Sequence, residues 1–437
     1  MASTDPTPRA YPPGPATPYD LDTTEESFPR VAEFIAEYGD ICRIKPVSRS
    51  ADSVLINDPD VIKYILVRNH ENYKKGPGFE RVKMLLGNGI IVSDGSHWRK
   101  QRRMIQPAFS RSCIAGMTQM MQDCNRALAL KWQRSADLGL EVDVTGQMCE
   151  LSLEIILRAL FSKDLDSVRE EDGSNPFSML SEDTARDIQL VIRFRALRKV
   201  VQQFIARRRE SDNSYEDFLD AFMKAKDKDS GEGMTDGEII DEVMTLIIAG
   251  HETSATTLNW AWYLLSQNPG AEEALHAELT EVMQGEVPTF EEVGQLSFTR
   301  SIIEETMRLY PPVWLFSRTA LADDEFAGFH IPAGTHIFFT PYYTHRHRDH
   351  WKDPESFEPL RFSAEAVKSR HNFAFIPFSA GPRRCIGDYF SIVEMQIHLA
   401  TMAKKFRMEK ADALPIELAP QINLRSKNPI TMKLIPR

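Results

Sequence analysis

Apolar residues recur at helical spacing through most of the chain and alternate with polar ones only in short zones. Phe28 to Tyr38 reads as an amphipathic helix, followed by two strand-like runs, Ile41 to Ile44 and Ser53 to Ile56, separated by a polar turn. Asp58-Pro59 opens a further helix, since Asp caps and Pro tolerates the first turn. From Cys113 to about Leu219 helical periodicity dominates with few breakers, as in Met117 to Trp132 and Met148 to Leu160. Thr235, with Glu238 three residues on, forms a capping box that starts the longest helix. That helix runs to Gln267, where Asn268-Pro269-Gly270 stops it, and spans roughly 50 Å. Its apolar residues (Ile239, Leu246, Ile247, Ile248, Leu258, Trp262) wrap much of the circumference, so it is expected to be buried. A shorter helix, Phe298 to Leu309, ends at Tyr310-Pro311-Pro312. Strands are predicted at Phe316 to Leu321, Gly328 to Ile331 and His336 to Thr340, with Pro332-Ala333-Gly334 as a turn. A glycine-flanked loop and a final helix, Tyr389 to Leu399, close the pattern.

The fold class read from this order is mainly α with small β-sheets. No internal repeat, low-complexity tract or linker marks a second unit, so residues 1–15 are expected to be a proline-containing lead-in and 16–437 one domain. At 42% apolar and 26% charged residues the composition is that of a globular protein, and runs such as Val243 to Ala249 fall short of the roughly 18 residues a membrane span needs. The first ten residues are polar, without the apolar core of a signal peptide, which points to a cytoplasmic location. Five scattered cysteines without C-x-x-C spacing indicate neither a disulfide framework nor a zinc site and suit a reducing compartment. A net charge of −11 argues against nucleic acid as a partner. Local exceptions are Arg99, Lys100, Arg102 and Arg103, and the pair Arg383-Arg384.

Cys385 carries the most chemistry. It lies in Phe378-Ser379-Ala380-Gly381-Pro382-Arg383-Arg384-Cys385-Ile386-Gly387, with glycines on both sides, two Arg beside it and a helix behind. A thiolate needs a lowered pKa, which nearby Arg and a helix N-terminus supply, and glycines let backbone N–H groups approach the sulfur. Taken singly it also fits a buried structural cysteine, or a nucleophile paired with a distant His. The spacing F-x-x-G-x-R-x-C-x-G resembles the cytochrome P450 family, with Phe378, Gly381, Arg383, Cys385 and Gly387 all matching. The resemblance spans roughly Tyr11 to the C-terminus. It implies an α-rich lobe and a smaller β-rich lobe around a b-type haem whose iron Cys385 holds.

Other motifs take meaning from that resemblance. Glu305-Thr306-Met307-Arg308 on a helix is by itself an ordinary ion pair. In the family such a pair joins a second Arg, here Arg361 of Phe357-Glu358-Pro359-Leu360-Arg361-Phe362, although Leu360 stands where the family more often has Glu. In Ala249-Gly250-His251-Glu252-Thr253-Ser254, Gly250 on its own reads as a packing glycine at a helix crossing. By resemblance, Ala249 and Gly250 make room for haem and O2, and Glu252 and Thr253 are the acid–alcohol pair that supplies the protons O–O cleavage consumes. Trp98 and Arg102, one turn apart, match a W-x-x-x-R that binds haem propionates, and Arg318 and Arg383 stand where further propionate ligands are placed. The run His345-Arg346-His347-Arg348-Asp349-His350 reads as a connector rather than a metal site, because its Arg residues repel a cation.

The substrate walls implied by family position are apolar: Met84, Leu85, Ile90, Ile91, Ile248, Ala249, Val313, Trp314, Leu315, Phe316 and Ile422. An apolar small molecule (fatty acid, terpenoid, steroid or polyketide) is expected. Two electrons must come from outside, from NAD(P)H through a reductase and a ferredoxin or flavodoxin docked on Lys100, Arg103 and Arg384, and the chain is expected to be a monomer. Between Phe161 and Arg208 the family usually spends more residues on the roof of the channel. Either the lid around Ser178 to Arg207 is short, or the sequence closes over an omitted segment. Rival readings are a non-redox haem-thiolate isomerase or dehydratase, disfavoured by Glu252-Thr253, and a haem-binding sensor without turnover.

Overall fold

The computed structural model describes residues 10–168, 175–180, 188–211, 213 and 215–437. Residues 1–9 of the lead-in lie outside them, as do 181–187 within the lid read at Ser178 to Arg207 and 169–174 ahead of it, so the lid reading falls partly on undescribed residues. What is described of the lead-in lies along the first strand: Arg43 N–H donates to Pro13 O (2.8 Å) and its guanidinium stacks on Tyr11, 4.6 Å from the ring centre.

The fold is built on the helix Asp236–Gln267. Both halves of the predicted capping box form between Thr235 and Glu238, and 32 residues give a length of about 48 Å. The helix is buried round most of its circumference and packs most extensively on Val144–Phe161, then on Ser297–Leu309 and Ile188–Arg209. The crossing explains Gly250: a Cβ there would press on the Ile156 side chain at 3.0 Å. The structure therefore gives Gly250 a packing role against that helix. Asn268-Pro269-Gly270 stops that helix at Gln267, as expected, and opens the next. A second helix, Pro269–Val282, starts there, with Pro at a position whose N–H needs no partner.

The strands predicted at Ile41–Ile44 and Ser53–Ile56 form an antiparallel hairpin. Ser53–Ile56 then pairs in parallel with His336–Phe339, which pairs antiparallel with Phe316–Ala320, and that with Tyr73–Lys75 at the edge. All four residues of Ser53–Ile56 are buried, as a central strand covered on both faces requires. One face of this sheet packs on Ile62, Ile65, Leu66 and Ile376; the other covers Leu21, Val31, Trp314, Leu315 and Leu424.

The chain does not end on the helix behind the cysteine loop. That helix is Asp388–Lys405, and Phe406–Lys410 continues straight into a strand that pairs with Thr431–Pro436, which in turn pairs with Val142–Asp143. Both long strands alternate buried and exposed residues, a signal too short to stand out beside the helix. A further hairpin joins Leu418–Pro420 to Leu424–Ser426. No helix among the described residues is long and apolar enough to cross a membrane.

Candidate active site

Cys385 lies on a loop whose shape is fixed by its own backbone. Arg384 N–H donates to Gly381 O (3.0 Å) and Cys385 N–H to Phe378 O (2.9 Å). Gly381 has φ +69°, and a Cβ there would collide with the carbonyl oxygen of Leu66, so only glycine lets the loop lie against that turn. Ser379 also holds a left-handed φ of 57°, a conformation strained for a residue with a side chain. Gly387 directly precedes the helix Asp388–Lys405, which puts the sulfur near a helix N-terminus. The thiol is exposed at the surface of the loop while protein atoms crowd round it. That crowding raises its pKa, opposed by the Gly387 N–H, Arg102 and Arg384 and reinforced by Asp388. The expected lowering by Arg and helix is present but outweighed. A bound metal cation, which deprotonates a coordinating thiol, completes what these groups begin.

Beside the loop is an excess of positive charge. Arg318 is buried at 4% exposure, and the one hydrogen bond of its guanidinium among the described residues goes to its neighbour's carbonyl, Ser317 O (2.8 Å). Desolvation and the repulsion of Arg383 push its pKa down to about 10. Arg383 lies over the Trp98 ring at 4.3 Å, donates to Ser93 O (3.1 Å) and pairs with Asp94. Lys75, opposite Arg318 in the sheet register, is held far below its ordinary pKa by burial and by the repulsion of Arg318 and Arg383. Among the described residues, only Arg383 of these three basic side chains is ion-paired, with Asp94. Buried charge is tolerated only when paired, so the cluster matches a ligand that brings carboxylates of its own, as the two propionates of a b-type haem would. Arg102 reaches the same loop from the helix Gly95–Ile105, donating to Arg384 O (3.0 Å). Lys75 and Asp94 were not read from the sequence; their part depends on a strand pairing and a loop contact that no local motif announces.

On the long helix, Thr253 Oγ1 donates to Ala249 O (2.9 Å), and Glu252 forms an ion pair with Arg425 of the C-terminal hairpin. Arg425 is the other residue missed, three positions beyond Ile422 of the expected substrate walls. His251 is buried and donates its Nδ1–H to Ile247 O (2.7 Å), with its pKa lowered by desolvation.

Of the expected substrate walls, Leu85, Ile90, Ile91 and Ile248 come together in the main helical core. Val313 is half-buried, and Phe316 stacks on Phe339 at 5.0 Å. Trp314 and Leu315 do not join them. Both are packed in the second face of the sheet, where Trp314 meets Phe28 edge-on (5.1 Å) and donates its indole N–H to Gln421 O (2.7 Å). They are core residues, because the chain after Pro311-Pro312 presents them to the sheet. Met84 and Ile422 are 78% and 59% exposed and do not belong to that core.

The E-x-x-R pair is fully buried. Arg308 donates to both carboxylate oxygens of Glu305 (2.6 and 2.7 Å), and to the carbonyls of His345 (3.1 Å), Pro354 (2.6 Å) and Ser356 (2.9 Å). Arg361 approaches Glu305 at 3.4 Å as expected, and Leu360 is exposed, so its departure from the usual Glu leaves the network intact. His345 accepts from Ile376 N–H (2.9 Å) just ahead of the cysteine loop, which makes the histidine run a structural connector. The surface cations Lys100, Arg103 and Arg384 are each paired, with Glu232, with Asp227 and Asp229, and with Asp388.

The family model for cytochrome P450 matches residues 19–182 and 174–434, its two stretches meeting where the lid was read as short. Cyclooctatin synthase from Streptomyces melanosporofaciens is 34% identical over 396 residues, 87% of this chain and 85% of the relative. Cyclooctat-9-en-7-ol 5-monooxygenase from the same organism is 32% identical over 398 residues, again 87% and 85%. The heme domain of cytochrome P450DA superposes with a TM-score of 0.86 at 24% identity, covering 98% of both chains, which establishes the shared fold. The chain belongs to the cytochrome P450 family, and with it to the haem-dependent monooxygenases that use O2 to oxidise apolar small molecules.

Proposed function

We propose that this chain hydroxylates or epoxidises a polycyclic terpenoid, with Cys385 as the residue that would hold the iron of a b-type haem. The observation that carries the cofactor reading is the cluster of Lys75, Arg318 and Arg383 around the single carboxylate of Asp94 beside the Cys385 loop. Trp98 and Arg102 complete the propionate site. When bound, the haem supplies O2 activation, favoured by electron donation from the thiolate. The chain's own part is to position and to protonate. Glu252, held by Arg425 in a partly buried ion pair, passes protons inward, and Thr253 orients them toward the face of the helix that carries Ala249. Leu85, Ile90, Ile91, Ile248, Val313 and Phe316 enclose the hydrocarbon.

The terpenoid assignment rests on the two relatives, one of which is named for an oxygenation of cyclooctat-9-en-7-ol. Electrons come from NAD(P)H through a reductase and a ferredoxin or flavodoxin, and the protein works as a cytoplasmic monomer. Because Lys100, Arg103 and Arg384 are paired with acids, docking on that face competes with those pairs and weakens as salt rises.

Incubation of the purified protein with NADPH, a ferredoxin and its reductase, a panel of polycyclic terpenes and 18O2 tests the reading. The expected product carries one atom of 18O and forms only when electrons are supplied. An isomerised or dehydrated product formed without reductant would instead establish the non-redox alternative.

A further inference from the structure

The cysteine loop rests against an uncommon piece of backbone. From Tyr64 to Arg68 the chain widens into a π-helical turn, closed by Asn69 N–H donating to Tyr64 O (2.8 Å). Single turns of this kind are rare and are found frequently at functional sites. Leu66 O lies against Gly381 so closely that no Cβ fits between them, and Ile65 and Leu66 pack with Ile376 and Ala380. The same two residues, with Tyr73, wall a small cavity against Arg318, Ala380 and Arg383. The turn therefore touches both the loop that carries the thiol and the basic residues beside it.

One carboxylate holds this turn at both ends, and the strand after it as well. Asp324 accepts from Tyr64 O–H (2.8 Å) on one oxygen, and from Asn69 Nδ2–H (2.9 Å) and Tyr73 O–H (2.5 Å) on the other. Glu325 N–H donates to the first oxygen (2.8 Å) and fixes the orientation of the group. Burial, with the nearby Asp324 charge, raises the pKa of both phenols, so they stay protonated and donate. Tyr73 begins the strand whose register sets Lys75 opposite Arg318. Asp324 itself opens the hairpin of Asp324–Phe326 and Phe329–Ile331, which Phe326 and Ile331 already anchor by apolar contact. The carboxylate is thus not needed to attach the hairpin, and its bonds all go to the turn and the strand.

We propose that Asp324 is a positioning residue for the Cys385 thiolate, acting through the turn Tyr64–Arg68 to hold residues 378–385 in the shape that would meet the iron. This rests on the haem-thiolate reading above and deepens it. Removing the carboxylate releases the turn at both ends and the strand together, and the loop loses the wall on which Gly381 is seated.

The test follows the ferrous carbon monoxide complex of the haem-loaded protein as its thiolate band decays to that of the form without thiolate. Each variant is held in urea the same distance below its own unfolding midpoint, so that a general loss of stability does not move the rate. Asp324→Ala should decay at least about tenfold faster than wild type, the size of one lost hydrogen bond to a charged group. Asp324→Asn, which keeps one acceptor oxygen, and Tyr73→Phe, which removes one donor, should fall between. Met432→Ala, a core deletion in the C-terminal strands, should match wild type. In hydrogen exchange of the same loaded proteins, the amides of Arg384 and Cys385, bonded to Gly381 O and Phe378 O, should open faster in Asp324→Ala and not in Met432→Ala. An Asp324→Ala protein that behaves as Met432→Ala in both measurements overturns the proposal alone, whereas a wild type without the thiolate band overturns the haem-thiolate reading and the proposal with it. If Asp324→Ala fails to fold, Tyr73→Phe carries the test, and a decay rate equal to wild type there overturns the proposal.

Discussion

Arg308→Ala strikes the contact that joins the helical core to the segment leading into the cysteine loop. The substitution strands Glu305, which has no exposure, and removing one partner of a buried ion pair costs about 3–5 kcal/mol. It also takes the donor from the carbonyls of His345, Pro354 and Ser356, each worth about 1 kcal/mol. The sum is comparable with the roughly 5–15 kcal/mol that holds a typical domain together. Arg361 cannot replace the lost fork, since it meets Glu305 at 3.4 Å from one side and is itself tied to Asp353 O. The variant should therefore fail to accumulate haem, and its urea midpoint by far-ultraviolet circular dichroism should fall sharply. Arg308→Lys keeps a charge for Glu305 but not the forked reach to Pro354 and Ser356, so an intermediate loss is expected. Adding Glu305→Leu to Arg308→Ala should recover part of the stability by removing the stranded carboxylate. An Arg308→Ala protein with wild-type haem content and a midpoint shifted by less than about 0.5 kcal/mol equivalent, the size of an ordinary surface change, would refute the reasoning.

Glu252→Gln should slow turnover about 100-fold, the low end of what acid–base catalysis contributes, while leaving the carbon monoxide spectrum unchanged; an unaltered turnover rate would remove Glu252 from proton delivery. Arg318→Met should stabilise the haem-free chain, because it deletes a buried guanidinium without a counter-ion, and should speed haem loss to a scavenging apoprotein; both signs must appear together. Glu394 is buried, accepts from Ser254 Oγ (3.1 Å) and has its pKa raised by desolvation to about 8 from 4.5. The folded state therefore holds a proton that the unfolded state has released, and this contribution to stability is full below pH 4.5 and is lost as pH rises toward 8. Glu394→Gln should flatten the decline across that window, by up to about 1.4 kcal/mol per pH unit, in denaturation curves taken at successive pH values.

Features that depend on adjacent residues were legible in the sequence: the cysteine loop, the capping box of Thr235 and Glu238, the Glu305–Arg308 spacing and the first hairpin. Those that depend on which elements meet were not. Lys75 joins the basic cluster through its register opposite Arg318, and Arg425 reaches Glu252 from a hairpin 173 residues away. Composition marks Trp314 and Leu315 as apolar but not which side of the sheet they face, so wall and core could not be told apart. Gly250 carried two readings, and the crossing helix with Ile156 supports the packing one.

The claim on which the account turns is that Cys385 holds the iron. The ferrous carbon monoxide complex of the wild type should show the red-shifted band of thiolate ligation, and Cys385→His should lose it while the haem remains bound. A wild-type spectrum of the histidine-ligated kind, or a thiolate band that persists in Cys385→His, would contradict it.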